Sequence, residues 1–423
     1  MLASEQSVGM SANIGAVHTA LDRFVRWLES FGTTSLDHQT FYSGPLGGFA
    51  KSLYYRHRTF GSAAVAPLVL CEAFAPEVRR MIGPKLRFPI ADAHYAMGFA
   101  LLSRQSGDDN YRRAVEFLNA LETTRSVGFE HFCWGYPFDW VTQGGVIRAW
   151  TPFITSTPYA YEAFSAVYNL DGNERWRRIC ESAAKHALLD IKDFPMSRSA
   201  ASAGYSPDDR KGGVVNAAAY RAWLLTAAAE EFDEDKYWQI ARKNVAFVLE
   251  AQHDDGSWPY AAGDNRDFVD HFHTCFVLKA LAKIERLRPQ VCAAAIARGV
   301  DYYTTHLFDE RGLPKPFSKA PRLTVYRREL YDYAECLNLC LLLRDSHPAL
   351  NQTLETVLAD FLERWIKSDG SFRSRELFVG WDNVPMHRWA QSQMFRSLAL
   401  FVNQLGQAPH GHLLARSAAP VAH

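Results

Sequence analysis

Four groups of residues have types and spacing suited to chemistry. The first is Asp267, Asp270, His271 and His273, just before a long apolar segment. A carboxylate beside an imidazole orients the ring and tunes its proton affinity, as general acid–base catalysis requires. Asp270 and His273 are read as catalytic, Asp267 and His271 as substrate contacts. Helix capping accounts for the same aspartates, with Asp267 at the N-cap and Asp270 in the first turn. No metal is expected, because residues two apart, such as His271 and His273, diverge on a helix.

The second group is Tyr326-Arg327-Arg328-Glu329-Leu330-Tyr331-Asp332-Tyr333. Arg327 and Arg328 suit a carboxylate, which arginine grips through two parallel hydrogen bonds, as a uronic acid would need. Tyr331 and Asp332 are read as catalytic, the tyrosine as a proton donor or, deprotonated, as a base. A salt-bridge network between helices is the competing account. The third group, His387, Arg388 and Trp389, combines a stacking ring with polar contacts. Packing between the last and first helical hairpins explains it equally well. The fourth is Trp134, Tyr136 and Asp139, an aromatic loop resembling a sugar subsite, with a local minicore as the alternative. Trp258 joins the substrate-binding set.

These positions need a scaffold. Segments 91–103, 157–168, 214–229, 268–284, 329–344 and 387–402 are apolar nearly all round. Helices of that kind must be buried on every side. Segments 16–30, 111–123, 173–189, 236–251, 290–306 and 350–367 are amphipathic; in 236–251, Trp238, Ile240, Ala241, Val245, Val248 and Leu249 recur near a period of 3.6. The two kinds alternate strictly, outer then inner, which signals a repeat architecture. Six buried helices jacketed by six amphipathic ones form an all-α (α/α)6 toroid. An open solenoid would need polar caps. One toroid domain is expected over 1–403, with a loosely ordered tail at 404–423. The long links (129–154, 191–213, 252–267, 307–325 and 368–386) run from outer to inner helices and so emerge on one face, where function concentrates.

Composition excludes several classes. Hydrophobic residues make up 48% and charged residues 22%, with Lys+Arg equal to Asp+Glu. That balance lacks the basic footprint of a nucleic-acid binder. The seven cysteines include no CxxC, against a disulfide scaffold or zinc ribbon. Residues 1–15 hold no apolar stretch behind a basic start, and no run is long enough to span a bilayer, so a cytoplasmic location is expected. Gly44-Pro45-Leu46-Gly47-Gly48 lacks the Lys-Ser/Thr of a phosphate loop. No Gly-x-Ser-x-Gly elbow occurs, and no cofactor is expected.

One loop carries a known pattern. Lys243, Phe247, Val248, Gln252, Gly256 and Trp258 resemble the QW repeat of terpenoid cyclase and prenyltransferase toroids, and 361–372 is a degenerate copy. The resemblance implies a structural tie at a helix end. The acidic motifs of that family's chemistry are missing: the residues two before Asp108-Asp109, Asp208-Asp209 and Asp254-Asp255 are Ser106, Ser206 and Gln252. The stretches Cys133-Trp134-Gly135-Tyr136-Pro137-Phe138-Asp139-Trp140, Asp255-Gly256-Ser257-Trp258-Pro259-Tyr260 and Asp267-Phe268-Val269-Asp270-His271-Phe272-His273-Thr274 resemble bacterial toroid proteins tied to exopolysaccharide and capsule biosynthesis. Other toroids of this kind are sugar 2-epimerases, uronate lyases, uronyl C5-epimerases and glycosidases. The resemblance thus implies an enzyme acting on a carbohydrate substrate by acid–base chemistry. A non-catalytic toroid binding a glycan or partner protein is the first alternative. An isoprenoid-binding toroid, with a deep apolar cavity, is the second. No oligomeric state is read from the sequence.

Overall fold

The computed structural model describes residues 2–263 and 265–406. Its helices are α1 (Leu2–Phe31), α2 (Thr40–Ser43), α3 (Pro45–Arg56), α4 (Arg58–Phe74), α5 (Arg79–Ile82), α6 (Pro89–Ser106), α7 (Asp108–Thr123), α8 (Thr157–Asp171), α9 (Glu174–Leu189), α10 (Val215–Phe232), α11 (Asp235–Glu250), α12 (His271–Leu287), α13 (Ala293–His306), α14 (Leu330–Leu343), α15 (Leu350–Arg364) and α16 (Ser392–Leu405). Helices α6, α8, α10, α12, α14 and α16 are the inner ring. Each packs on the next, and α16 returns to α6 to close it. Gly98 of α6 lacks a side chain where the Phe395 ring of α16 lies.

The inner helices are the all-apolar segments. In α14 every residue but Leu342 is buried. The alanines of α10 (Ala217, Ala218, Ala219, Ala222 and Ala228) let its neighbours approach closely. The outer helices bury one stripe each, as α9 buries Trp176, Ile179, Cys180, Ala183, Ala184 and Ala187. Cys336 and Cys340 are fully buried, with Sγ atoms 4.0 Å apart.

Two Gly-turn loops tie the outer ring. Gln252 donates from Nε2 to the carbonyls of Gly256 and Ala295, and the Trp258 indole donates to the Val248 carbonyl. Gly256, at φ +89°, presses against the Arg298 backbone of α13, where no Cβ fits. Gly370, at φ +94°, does the same against Arg23 of α1. Arg23 donates to the carbonyls of Lys367 and Ser368. The second loop therefore joins the last outer helix to the first.

Four features depart from the sequence expectations. The first is the helical hairpin α3–α4, which interrupts the alternation between α1 and α6. The second is a set of short strands in the long links. These are the antiparallel pairs β1–β2 (Trp140–Thr142, Gly145–Ile147), β3–β4 (Asp193–Pro195, Ala201–Ala203) and β5–β6 (Val269–Asp270, Phe317–Lys319), and the three-stranded sheet β7–β8–β9 (Tyr326–Glu329, Arg375–Leu377, Trp381–Asp382). Third, α12 is capped by Asp270 and not by Asp267, because β5 holds the chain extended up to Asp270. Fourth, the last inner helix is broken at its start: Trp389 (φ −117°, ψ 64°) and Ala390 (φ +122°) leave helical geometry. The side chains of Ser392 and Gln393 satisfy backbone groups that this exposes, accepting from Ala390 N–H and donating to the His387 and Arg388 carbonyls, while Gln391 bonds the Phe372 backbone of the preceding loop. Helix α16 runs to Leu405, two residues past the expected boundary, and 407–423 lie outside the described residues. No single described helix is long and apolar enough to cross a membrane.

Candidate active site

The inner helices begin on one face, and side chains from α12, α14 and the turn before α16 converge there. Asp270 caps α12 by accepting from the His273 backbone N–H at 2.9 Å, and its second oxygen meets His273 Nδ1 at 2.6 Å. The carboxylate is 2% exposed, while the imidazole side chain is 20% exposed. One buried aspartate thus serves as cap and as ring-orienting group. It leaves Nε2 with no hydrogen bond among the described residues, walled by Tyr260, Phe272 and Phe276.

Across Phe272 and Phe276 stands Tyr331, edge-on to both. Burial, then the nearby Glu335 charge, pushes its phenol well above the usual tyrosine range. Of the two roles open in the sequence, proton donor is therefore the favoured one. Trp389 lies flat on Tyr331, and its indole donates to Glu329 at 2.6 Å. The helix break before α16 is what turns Trp389 into this position.

Arg388 sits among the rings of Tyr136, Phe138, Phe88 and Trp389. It makes two parallel bonds to Asp37, at 2.9 and 2.6 Å. Burial alone would raise the Asp37 pKa, but Arg388, His38 and hydrogen bonds outweigh it and hold it at about 2. Asp332, 1% exposed, has no hydrogen-bond partner for either carboxyl oxygen among the described residues. Burial, then the Glu329 and Asp270 charges, push its proton affinity well above that of an ordinary aspartate.

Below the mouth the toroid axis is polar. Lys279 of α12 pairs with Glu335 of α14, and Glu162 of α8 with Lys283 and Arg396. The hydroxyls of Tyr159 and Tyr220 meet at 2.5 Å. Burial lowers Lys283 to about 8, with Glu162 opposing. Such a lining differs from the apolar cavity expected of an isoprenoid binder.

Other candidates lie elsewhere. Trp134 is buried and donates to the Leu121 carbonyl. Trp258 belongs to the Gly-turn loop described above. His271 is buried between the Leu307 carbonyl and the Tyr303 hydroxyl, and His387 between Tyr95 and the Gly32 carbonyl. Asp267 is exposed against Lys319, and Asp139 pairs with Arg148 at the rim. Arg327 and Arg328 line a separate cleft of about 430 Å³ beside the mouth. There Arg328 bridges Asp309 and Glu376, and Arg327 lies exposed over Phe378. Sequence reasoning missed Asp37, Phe272, Tyr260, Phe276 and Lys279. Tyr260 and Phe272 lie inside the quoted motifs, but Asp37 carries no periodic or motif signal.

Fold and site together define an (α/α)6 toroid with an aromatic mouth holding a carboxylate–imidazole pair. No family model and no curated protein matches the chain. Solved structures do. An unsaturated glucuronyl hydrolase specific for heparin shares a TM-score of 0.62 at 11% identity, covering 93% of this chain and 97% of that one. The cellobiose 2-epimerase of Bacillus thermoamylovorans aligns with a TM-score of 0.59 at 8% identity, over 75% of this chain and 88% of its own. A D-mannose isomerase aligns at 0.56 and 11%, over 76% and 87%. At these identities the likeness establishes the toroid fold.

Proposed function

We propose that this chain is an enzyme that moves protons on a sugar, of the epimerase or lyase type, and that its substrate carries a uronate. The observation that carries this is the Asp270–His273 pair facing the protonated Tyr331 across an aromatic wall. His273 Nε2 is the base that removes a proton from a sugar carbon, Asp270 stabilises the imidazolium that forms, and Tyr331 donates a proton to the substrate. Trp389, Tyr260 and Tyr136 supply stacking faces for a sugar ring. Arg388, fixed among the aromatic rings by its two bonds to Asp37, supplies a positive charge that a uronate carboxylate would meet. The structural neighbours include an epimerase, an isomerase and a glucuronyl hydrolase, all named for sugar chemistry.

A non-catalytic glycan binder would have its titratable groups all paired with one another. Both carboxyl oxygens of Asp332 instead stand without partners among the described residues, and His273 is bonded through Nδ1 to Asp270. Glycoside hydrolysis is the second reading, favoured by the buried, unpartnered Asp332, whose raised proton affinity suits a general acid. The motif resemblance supports a role in cell-surface polysaccharide biosynthesis, and a cytoplasmic site of action is proposed with it. The test is turnover of uronate-bearing and neutral oligosaccharides by wild type and His273→Gln. Turnover lost in the variant supports the reading. Wild type that neither turns over nor binds any sugar at about millimolar concentration overturns it.

A further inference from the structure

We propose that the α3–α4 hairpin docks this protein onto an anionic bilayer surface. In α4, Phe60, Ala63, Pro67, Leu70 and Phe74 follow spacings of three and four, so they share one face of the helix. That face is exposed: Phe60 is 75%, Leu70 58% and Phe74 66% accessible. Residues 59–71 carry no charge. Leu46 (87%) and Phe49 (69%) stand out from α3, and Met81 (85%) from α5. Exposed apolar side chains grouped this way mark an interaction surface.

The flanking charge selects the occupant. Although the chain as a whole is neutral, 45–87 hold seven basic residues against two acidic ones; Arg79 is buried on Asp382 and Arg87 pairs with Asp92, which leaves Arg56, Arg58, Arg80 and Lys85 exposed and Lys51 half-buried. Both acids are committed, Glu72 to Arg375 and Glu77 to Arg80. Arg56, His57 and Arg58 stand exposed at the turn joining α3 to α4, at one end of the apolar face, and Arg80 and Lys85 lie beyond the other. An apolar helix face with a basic rim is the pattern of a helix lying in a bilayer interface beside anionic headgroups. Helix α4 is too short to span a bilayer, and the chain bends by 111° between α4 and 76–82. The hairpin therefore lies on the membrane and does not cross it. It is braced on the toroid by Glu72–Arg375 and by α3 against β1. The docking needs nothing from the sugar chemistry above.

The test is co-sedimentation with vesicles of phosphatidylcholine containing about 30% phosphatidylglycerol. Wild type should bind these at least about tenfold more than pure phosphatidylcholine vesicles, and less as salt rises. Phe60→Ser with Leu70→Ser and Phe74→Ser should cut binding at least about tenfold. Arg56→Gln with Arg58→Gln should cut it roughly fivefold per charge. All five side chains are exposed, and a thermal melt checks that the variants fold. Wild type left in the supernatant, or serine variants that bind undiminished, would overturn the proposal. So would sedimentation equilibrium showing a wild-type dimer that the serine changes convert to monomer.

Discussion

Trp389 lies on the Tyr331 ring with centroids 4.3 Å apart and planes 8° from parallel. The stack joins two inner helices at the toroid mouth, and Glu329 anchors its outer member through the indole N–H. Tyr331→Phe keeps the stack and removes only the hydroxyl. It is expected to lower kcat by roughly 10²-fold or more with little change in melting temperature. Trp389→Ala removes the stack and should raise KM as well. A Tyr331→Phe variant with wild-type kcat would remove the phenol from the mechanism.

His273→Gln should lower kcat by roughly 10²–10⁴-fold while circular dichroism stays unchanged. Asp270→Asn should cost less in rate and more in stability. It keeps a capping oxygen but loses the charge that compensates the imidazolium, and weakening the buried bond to His273 Nδ1 costs about 1–3 kcal/mol. Equal losses of rate and stability in both variants would indicate a purely structural pair.

Arg388→Lys replaces a planar fork with a point charge. KM for a uronate-bearing substrate should rise about tenfold or more, while that for a neutral sugar moves little. Asp37→Asn leaves a buried guanidinium without its counterion and should cost about 3–5 kcal/mol of stability, read by urea unfolding. A cost near zero would mean that Arg388 finds another partner.

The protein should lose stability as pH falls below about 6.5. Burial lowers His271 to about 3, with hydrogen bonds to the Leu307 and Lys315 backbone opposing, and His387 to about 4, with the Gly32 carbonyl opposing. Burial likewise holds His38 and His94 well below their usual value. Each takes up a proton in the unfolded chain before the folded one, at about 1.4 kcal/mol per pH unit. Asp92, which burial raises to about 6 against Arg87, and Asp332 and Glu231, which burial also raises, act in the opposite sense, but four groups outweigh three. Melting temperature should therefore fall between about pH 7 and pH 5. A level or rising value contradicts this balance.

The rings of the toroid were legible because burial on all sides leaves a segment no polar face, as in α10 and α14. The dyad was legible because Asp270 and His273 lie three residues apart at the start of such a segment. What escaped was set by long-range contact. Asp37 meets Arg388 across 351 positions of chain, and no local pattern announces that pairing. The α3–α4 hairpin escaped because its apolar residues face outward and do not follow the inner–outer rule. The trio Arg327, Tyr331 and Arg328 is continuous in sequence but divided in space. Strand β7 turns the arginines toward a side cleft, and only past Glu329 does the chain enter the mouth.

The most direct measurement is proton NMR of candidate uronate and neutral sugars incubated with the enzyme in deuterium oxide. The predicted result is that one carbon-bound hydrogen is lost during turnover, replaced by deuterium if the sugar is epimerised or removed with formation of a carbon–carbon double bond if it is cleaved by elimination, abolished in His273→Gln and strongly slowed in Tyr331→Phe. Hydrolytic cleavage that leaves every carbon-bound hydrogen in place, or proton loss that persists in His273→Gln, would contradict it.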